Sequence, residues 1–346
     1  MTREYGRLML DIEGKSLSEE DKNIISSRPV GGIIFFSRNF ESFEQIKNLI
    51  DEIKDIKEDI IFAVDHEGGR VQRFDSEFTK IPSMQEISDY ARKINNASIL
   101  KEIAWLASSE LIAAGIDINF APVLDINKNN STVIGDRSFS AKLHEVINFA
   151  SNYIDGMHQA GMKSTGKHFP GHGGVLEDSH TELPIDDRSY QELAVFSDIE
   201  PYKDLGTKLD AVMCAHILFP KIHNKIPSYS RYWLKDILRN ELGYKGLVFS
   251  DDLSMSGAGD DLCSKKVEKS LKAGCDMVLI CNDRCGAKEA IDFMENSDFE
   301  ASNKIALLKS NKKLEWHDIA ISSRAKEIKR TLKEIGDMYE KNSNRT

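Results

Sequence analysis

The 346-residue sequence predicts an α/β fold, a (β/α)8 barrel, on three observations. Eight short apolar runs recur along the chain, they show no polar alternation, and amphipathic stretches of helical length lie between them. Strands buried on both faces of a parallel sheet read as continuous apolar runs, and eight of them with intervening helices suit a closed barrel. A doubly wound open sheet is the alternative, because closure leaves no mark in a sequence. By length the chain allows two domains or one barrel of ordinary size.

Taken in order, the first strand is Arg7 to Leu10, with Asp11 after it. Ser18 before Glu19, Glu20 and Asp21 marks a helix start, since a serine oxygen caps free N–H groups and acids suit the positive helix end. The second strand, Gly32 to Phe36, is followed by Ser37 and Arg38, and Ser42 opens a helix over Phe43 to Ile56. The third, Ile60 to Val64, leads to Asp65. A helix over Ala97 to Ala114 stops at Gly115, and the fourth strand, Ile116 to Leu124, leads to Asp125. A helix over His144 to Ala160 stops at Gly161, and the fifth strand, Met162 to Gly166, precedes Lys167 and His168. The sixth, Ala211 to Ala215, ends at His216. A helix over Tyr232 to Leu242 stops at Gly243, before the seventh strand, Gly246 to Phe249, and the pair Asp251–Asp252. A helix over Lys265 to Ala273 stops at Gly274, and the eighth strand, Met277 to Ile280, leads to Asn282. The barrel thus occupies about residues 5–300. From about 301 to 341 the chain is richer in Lys and Arg and reads as one or two helices packed outside it.

Composition narrows the function. A net charge of −10, from 56 acids and 46 bases, repels phosphate backbones, so no nucleic-acid partner is expected. No apolar run approaches the ~20 residues of a membrane span, and the N-terminus has no secretory pattern, so the expected location is cytoplasmic. Five cysteines without a C-x-x-C pair are no disulfide framework, and Cys275, Cys281 and Cys285 read as thiols rather than metal ligands. No metal, cofactor or obligate protein partner is expected.

Parallel barrels place their sites at the carboxyl ends of the strands, where this sequence gathers acids, a lysine and histidines. Such a ring suits a ligand rich in hydroxyls. The densest segment is Lys167 to His180, KHFPGHGGVLEDSH, which reads as a loop because of its glycines and proline. His168 and His172 straddle Pro170-Gly171, so they do not share a helical face as metal ligands would. Asp178-x-His180 reads instead as an acid–histidine pair: the carboxylate holds one imidazole nitrogen and leaves the other for proton transfer. In Ser250-Asp251-Asp252 successive side chains point to opposite faces, so one aspartate at most faces the barrel mouth squarely, and either is a candidate nucleophile. Arginines recur beside glycine in EGGRVQR, residues 67–73, and GDRSF, residues 135–139, and each motif alone is weak.

The blocks LMLDI, VGGIIFFSRNF, VDHEGGRVQRF, NFAPVLDI, VIGDRSF, KHFPGHG with DSH after it, and GLVFSDDLSM occur in that order from about Tyr5 to Gly257. Together they closely resemble the bacterial β-N-acetylglucosaminidases of glycoside hydrolase family 3. The resemblance implies a single-domain TIM-type barrel and a retaining mechanism with a covalent glycosyl–enzyme intermediate. It implies that Asp251 is the nucleophile, His180 the acid/base and Asp178 its orienting partner, with Asp65, Arg73, Arg137, Lys167 and His168 holding the N-acetylglucosamine ring. The implied substrate is terminal N-acetylglucosamine on 1,6-anhydro-N-acetylmuramic acid, with or without peptide, in peptidoglycan recycling. His66 departs from the pattern, which has glutamine there. The competing functions are a phosphorylase on the same scaffold, a silent sugar-binding protein and a metal-dependent hydrolase.

Overall fold

In the computed structural model, which describes residues 4–127, 131–195, 198–310 and 312–343, eight parallel strands close into a barrel in chain order. They are β1 (Leu8–Leu10), β2 (Val30–Phe35), β3 (Ile61–Val64), β4 (Ile118–Asn119), β5 (Lys163–Phe169), β6 (Ala211–Cys214), β7 (Leu247–Asp252) and β8 (Met277–Ile280). Closure is made by β1 against β8, with Met9 opposite Leu279. Both faces of the strands are apolar because both are covered. Met9, Ile34, Phe120, Met213, Phe249 and Leu279 fill the barrel's interior, while Leu8, Leu10, Ile33 and Val248 belong to the larger core under the helices. That double burial is why no alternation appears in the sequence.

Three strand ends differ from the sequence expectation by three residues or more, and each difference bears on the site. β4 is regular only over Ile118–Asn119, but the chain keeps its bonds to β5 beyond it, with the Thr165 N–H donating to Ala121 O and the Leu124 N–H to Lys167 O, both at 2.8 Å. β5 runs on through Lys167 and His168, which therefore stand on a strand and not in a loop. The His168 N–H finds an acceptor at Asp125 (3.2 Å), so polar residues sustain the strand past the apolar run. β7 likewise continues through Asp251 and Asp252, with the Cys281 N–H donating to Asp252 Oδ1 at 2.9 Å. The chain after β5 is irregular from Pro170 to Ser189.

The helices follow the expected spans within a few residues, over Glu19–Ser26, Phe43–Ile56, Ser98–Ala114, Leu143–Ala160 and Cys263–Ala273. The helix Tyr232–Glu241 is wound as a π-type helix, closing with Leu242 N–H to Ile237 O at 2.9 Å. Among the described residues no helix is long and apolar enough to cross a membrane.

The tail departs from the expectation of a wholly external segment. Ile305 and Leu308, in the turn Asn303–Leu308, are buried with Tyr5, Met9 and Ile61 in the interior cluster and so plug the floor of the barrel. Lys309 then donates to Ile60 O at 2.7 Å, and the Ser310 N–H to Asp117 Oδ1 at 3.0 Å. Only after this do the helices Trp316–Ile321 and Ser323–Ser343 pack outside, where Arg324 forks onto Glu102 (2.6 and 2.9 Å) and stacks over Trp105.

Candidate active site

At the carboxyl ends of the strands lies a cavity of about 360 Å3. Asp65, Arg73, Arg137, Lys167, His168, Asp178, His180 and Asp251, the residues singled out in the sequence, all line it. They come from five places in the chain, so the barrel brings together what the sequence separates.

One wall is a cationic network anchored on carboxylates. After β3 the chain turns in a small hairpin, His66–Gly68 against Val71–Gln72. Gly68 and Gly69 have φ of +105° and +56°, and a Cβ on Gly68 would stand 2.6 Å from Pro82 O, so only glycine fits the turn. The hairpin thereby holds Asp65, Glu67 and Arg73 over the mouth. Lys167 reaches in from β5 and contacts both Asp65 (2.8 Å) and Glu67 (2.7 Å). Arg137 meets Glu67 through two hydrogen bonds of 2.8 Å, and Arg73 lies 3.4 Å from Asp65. Burial pushes the Glu67 carboxyl up, but Arg137 and Lys167 outweigh it and hold the group well below the usual carboxylate range. Asp65 is held down in the same way by Lys167 and Arg73. For Lys167, burial lowers its affinity for the proton and the two carboxylates more than restore it. The wall is thus fully ionised and dense in directional donors and acceptors, the chemistry that binds sugar hydroxyls and amides.

The back of the cavity is ordered by Asp125, whose side chain is fully buried. Its Oδ2 accepts from His168 Nδ1 at 2.7 Å, and its Oδ1 from the His172 N–H at 2.7 Å. One carboxylate therefore orients a cavity histidine and the start of the irregular segment together.

Asp251 and Asp252 divide their tasks by hydrogen bonding. Both line the cavity, so access to it does not by itself choose between them. Asp252, however, is tied to the Ser254 N–H (2.9 Å), Ser254 Oγ (2.8 Å) and the Cys281 N–H (2.9 Å). Burial raises its pKa to about 6. For Asp251, burial raises the carboxyl, but the neighbouring His216 and His168 and the Asp252 N–H outweigh it and keep the group below its ordinary value. An ionised, half-buried carboxylate that lines the cavity can act as a nucleophile.

Across the mouth, His180 Nδ1 stands 2.7 Å from Asp178 Oδ1, and the His180 N–H donates to the same oxygen at 2.9 Å. Burial raises the Asp178 carboxyl, and these contacts from His180 outweigh it. The pair is 65% and 44% exposed, which leaves the Nε2 edge open to a ligand. Among the described residues, no three His, Cys, Asp or Glu side chains are grouped to hold a metal ion, and all five cysteines are unpaired.

Residues 1–306 match the profile of the glycosyl hydrolase family 3 N-terminal domain. The chain belongs to glycosyl hydrolase family 3. Within that family it is 47% identical over 290 residues to a β-hexosaminidase of Idiomarina loihiensis, covering 83% of this chain and 87% of that one. It is 43% identical to a β-hexosaminidase of Haemophilus influenzae strain PittEE, over 95% and 96% of the two chains. The structure superposes on that of NagZ from Neisseria gonorrhoeae in complex with N-trifluoroacetyl-D-glucosamine with a TM-score of 0.88 at 36% identity, covering 96% and 98%. The chain is a family 3 glycoside hydrolase of the β-hexosaminidase type, with the barrel that this family uses.

Several contributors to this family 3 cavity were not marked as site residues by the sequence. Glu67 is hidden in a glycine-arginine motif, and its partners, Arg137 and Lys167, lie far along the chain from it. Asp125 and His216, which stand behind the cavity lining, read from the sequence only as members of the polar ring at the strand ends. Ser179, between Asp178 and His180, has no signature at all.

Proposed function

We propose that the chain is a retaining exo-β-N-acetylglucosaminidase. It removes terminal non-reducing N-acetylglucosamine from muropeptides, that is, from 1,6-anhydro-N-acetylmuramic acid with or without peptide, in cytoplasmic peptidoglycan recycling. What carries this function is the sharing of one cavity by an ionised carboxylate, Asp251, and an acid–histidine pair, Asp178–His180. The two β-hexosaminidase relatives and the N-acylated amino sugar bound by the N. gonorrhoeae protein support the choice of sugar.

In the first step Asp251 attacks the anomeric carbon while the His180 imidazolium gives its Nε2 proton to the departing oxygen. The bond to the leaving sugar breaks as the bond to Asp251 forms. In the second, His180, now neutral, takes a proton from water as that water attacks the same carbon and displaces the Asp251 carboxylate. Two displacements on one carbon return the original configuration. Asp178 fixes the tautomer and stabilises the imidazolium between the steps. Asp65, Arg73, Arg137, Lys167 and His168 hold the ring, and Glu67 aims Arg137 and Lys167.

The test is turnover of an aryl β-N-acetylglucosaminide against the matching aryl β-glucoside, with and without inorganic phosphate. Strong preference for the N-acetyl sugar is expected, because a site built around the acetamido group leaves polar partners unpaired when that group is missing. Equal rates on the two sugars, or release of the sugar as its 1-phosphate, would overturn the proposal.

A further inference from the structure

Asp178 and His180 stand in a segment without regular structure and are partly exposed, yet a proton donor must be held to a fraction of an ångström to serve a reacting bond. The residue between them is the exception to their exposure. Ser179 is 3% exposed. Its hydroxyl lies 3.3 Å from His172 Nε2, and its carbonyl accepts the Gly257 N–H at 2.9 Å. Each contact leads to a rigid part of the barrel. His172 is fastened through its own N–H to Asp125, which also holds His168 on β5. Gly257 lies in the turn Ser256–Ala258, which Leu253, Ser254 and Met255 join to the strand that carries Asp251.

The glycine is required there by space, not by backbone conformation. A Cβ at position 257 would stand 2.9 Å from Ser179 O and 3.1 Å from both Cβ and O of His216. His216 is itself fully buried at the end of β6, and neither of its ring nitrogens has a partner among the described residues. Ser179 thus seats against a glycine floor backed by a packed imidazole, and any side chain at 257 would lift it. Lifting Ser179 carries Asp178 and His180 with it, since both are its direct chain neighbours.

We propose that Ser179 and Gly257 form a latch that sets where the His180–Asp178 pair stands relative to Asp251, and that both are positioning residues for the two proton transfers; this rests on the acid/base reading of His180 given above. Ser179 meets His172 and Gly257 and not the nucleophile, so its loss resembles loss of the proton donor and not loss of binding. Gly257 also rests on His216, a neighbour of Asp251, so the serine variants separate the latch from any effect passed through His216.

The experiment compares Gly257→Ala, Ser179→Ala, Ser179→Thr and the control His180→Ala on aryl β-N-acetylglucosaminides whose phenols span a wide range of acidity. A poor leaving group needs the proton and a good one does not. Gly257→Ala is therefore expected to lose about 10–100-fold in kcat/KM on the least acidic phenols, with little loss on the most acidic, in the range for misplaced acid–base assistance. Ser179→Ala is expected to show the same steepened dependence in weaker form, and Ser179→Thr, which keeps the hydroxyl, to restore it. Azide should accelerate Gly257→Ala on the most acidic phenol, since it attacks the anomeric carbon of the Asp251 ester without needing a base, forming a C–N bond as the C–O bond to Asp251 breaks. Thermal unfolding identifies a variant that has lost its fold, in which case the serine pair carries the test. If His180→Ala shows a steep dependence while Gly257→Ala and Ser179→Ala lose activity evenly across the series, or lose none, the latch is wrong. If His180→Ala itself is even across the series, the acid/base assignment fails.

Discussion

Arg137 and Glu67 face each other through two parallel hydrogen bonds of 2.8 Å, with their side chains only 10% and 3% exposed. The pair joins the turn after β4 to the hairpin after β3, and Lys167 from β5 completes it at 2.7 Å. Three charges out of water are stable together because each is a partner of another, and the network fails as a unit if one is removed.

Glu67→Ala is accordingly expected to destabilise the fold by about 3–5 kcal/mol, the usual result of leaving buried charges without their partner. Chemical denaturation measures it. KM should rise in the same variant, since Arg137 and Lys167 lose the carboxylate that aims them. The pH sign follows from the depressed carboxyl. Stability from Glu67 is fully present above its ordinary value of 4.5 and is lost as pH falls below it toward the folded-state value. A wild-type–variant difference in stability that stays constant from pH 7 to pH 3 would contradict this.

Asp251→Ala is expected to abolish turnover with the fold intact, because a polar strand end contributes little to core packing. Asp252→Ala should retain measurable activity while losing stability, since Asp252 ties β7 to the Ser254 and Cys281 backbone. A 2-fluoro or 5-fluoro sugar should be trapped on Asp251, located by peptide mass mapping. Label on Asp252 would reverse the assignment.

The barrel was legible because burying a strand on both faces leaves a plain apolar run, and eight such runs are hard to place otherwise. The strand ends were less legible. β5 extends through Lys167–His168 with the distant Asp125 accepting the His168 N–H, and β7 extends through Asp251–Asp252 by pairing Asp252 with Leu279 of β8. The floor of the barrel was illegible for a similar reason: Ile305 and Leu308 sit in a short segment of basic, helix-like composition, and only tertiary contact shows that they point into the barrel. Asp178 and His180 could be read from spacing two apart, since the carboxylate needs no distant element to reach the ring. The choice between Asp251 and Asp252 could not, because it depends on where Ser254 and Cys281 place their N–H groups.

His66 offers a test of acid sensitivity. It is buried, its Nδ1 has no partner among the described residues, and burial, helped by Arg73, lowers its pKa to about 3. A base whose folded value lies below the ordinary 6.5 is protonated preferentially in the unfolded chain, so its effect is absent above about 6.5 and grows as pH falls toward 3. At pH 5 the cost is about 2 kcal/mol. His66→Gln removes that titration, so the stability lost by wild type between pH 8 and pH 5 should exceed the loss in the variant by about that amount. Parallel pH–stability curves for the two proteins would show that His66 does not titrate in this window.

The His180–Asp178 pair is tested through its leaving group. His180 gives a proton in the first half-reaction and takes one in the second, so His180→Ala is expected to slow hydrolysis of a disaccharide by about 10²–10⁴-fold. An aryl substrate with an acidic phenol departs unaided, so its first step suffers far less. Breakdown of the Asp251 ester then limits the rate, and the ester accumulates, visible as a burst of phenol in the first turnover. Asp178→Ala keeps the imidazole but releases its Nδ1, so the defect should be of the same kind and no larger. Because the carboxylate acts only through the ring it holds at 2.7 Å, the double variant should lose little more than His180→Ala alone. Losses that multiply in the double variant would mean that Asp178 contributes to catalysis by a route other than His180.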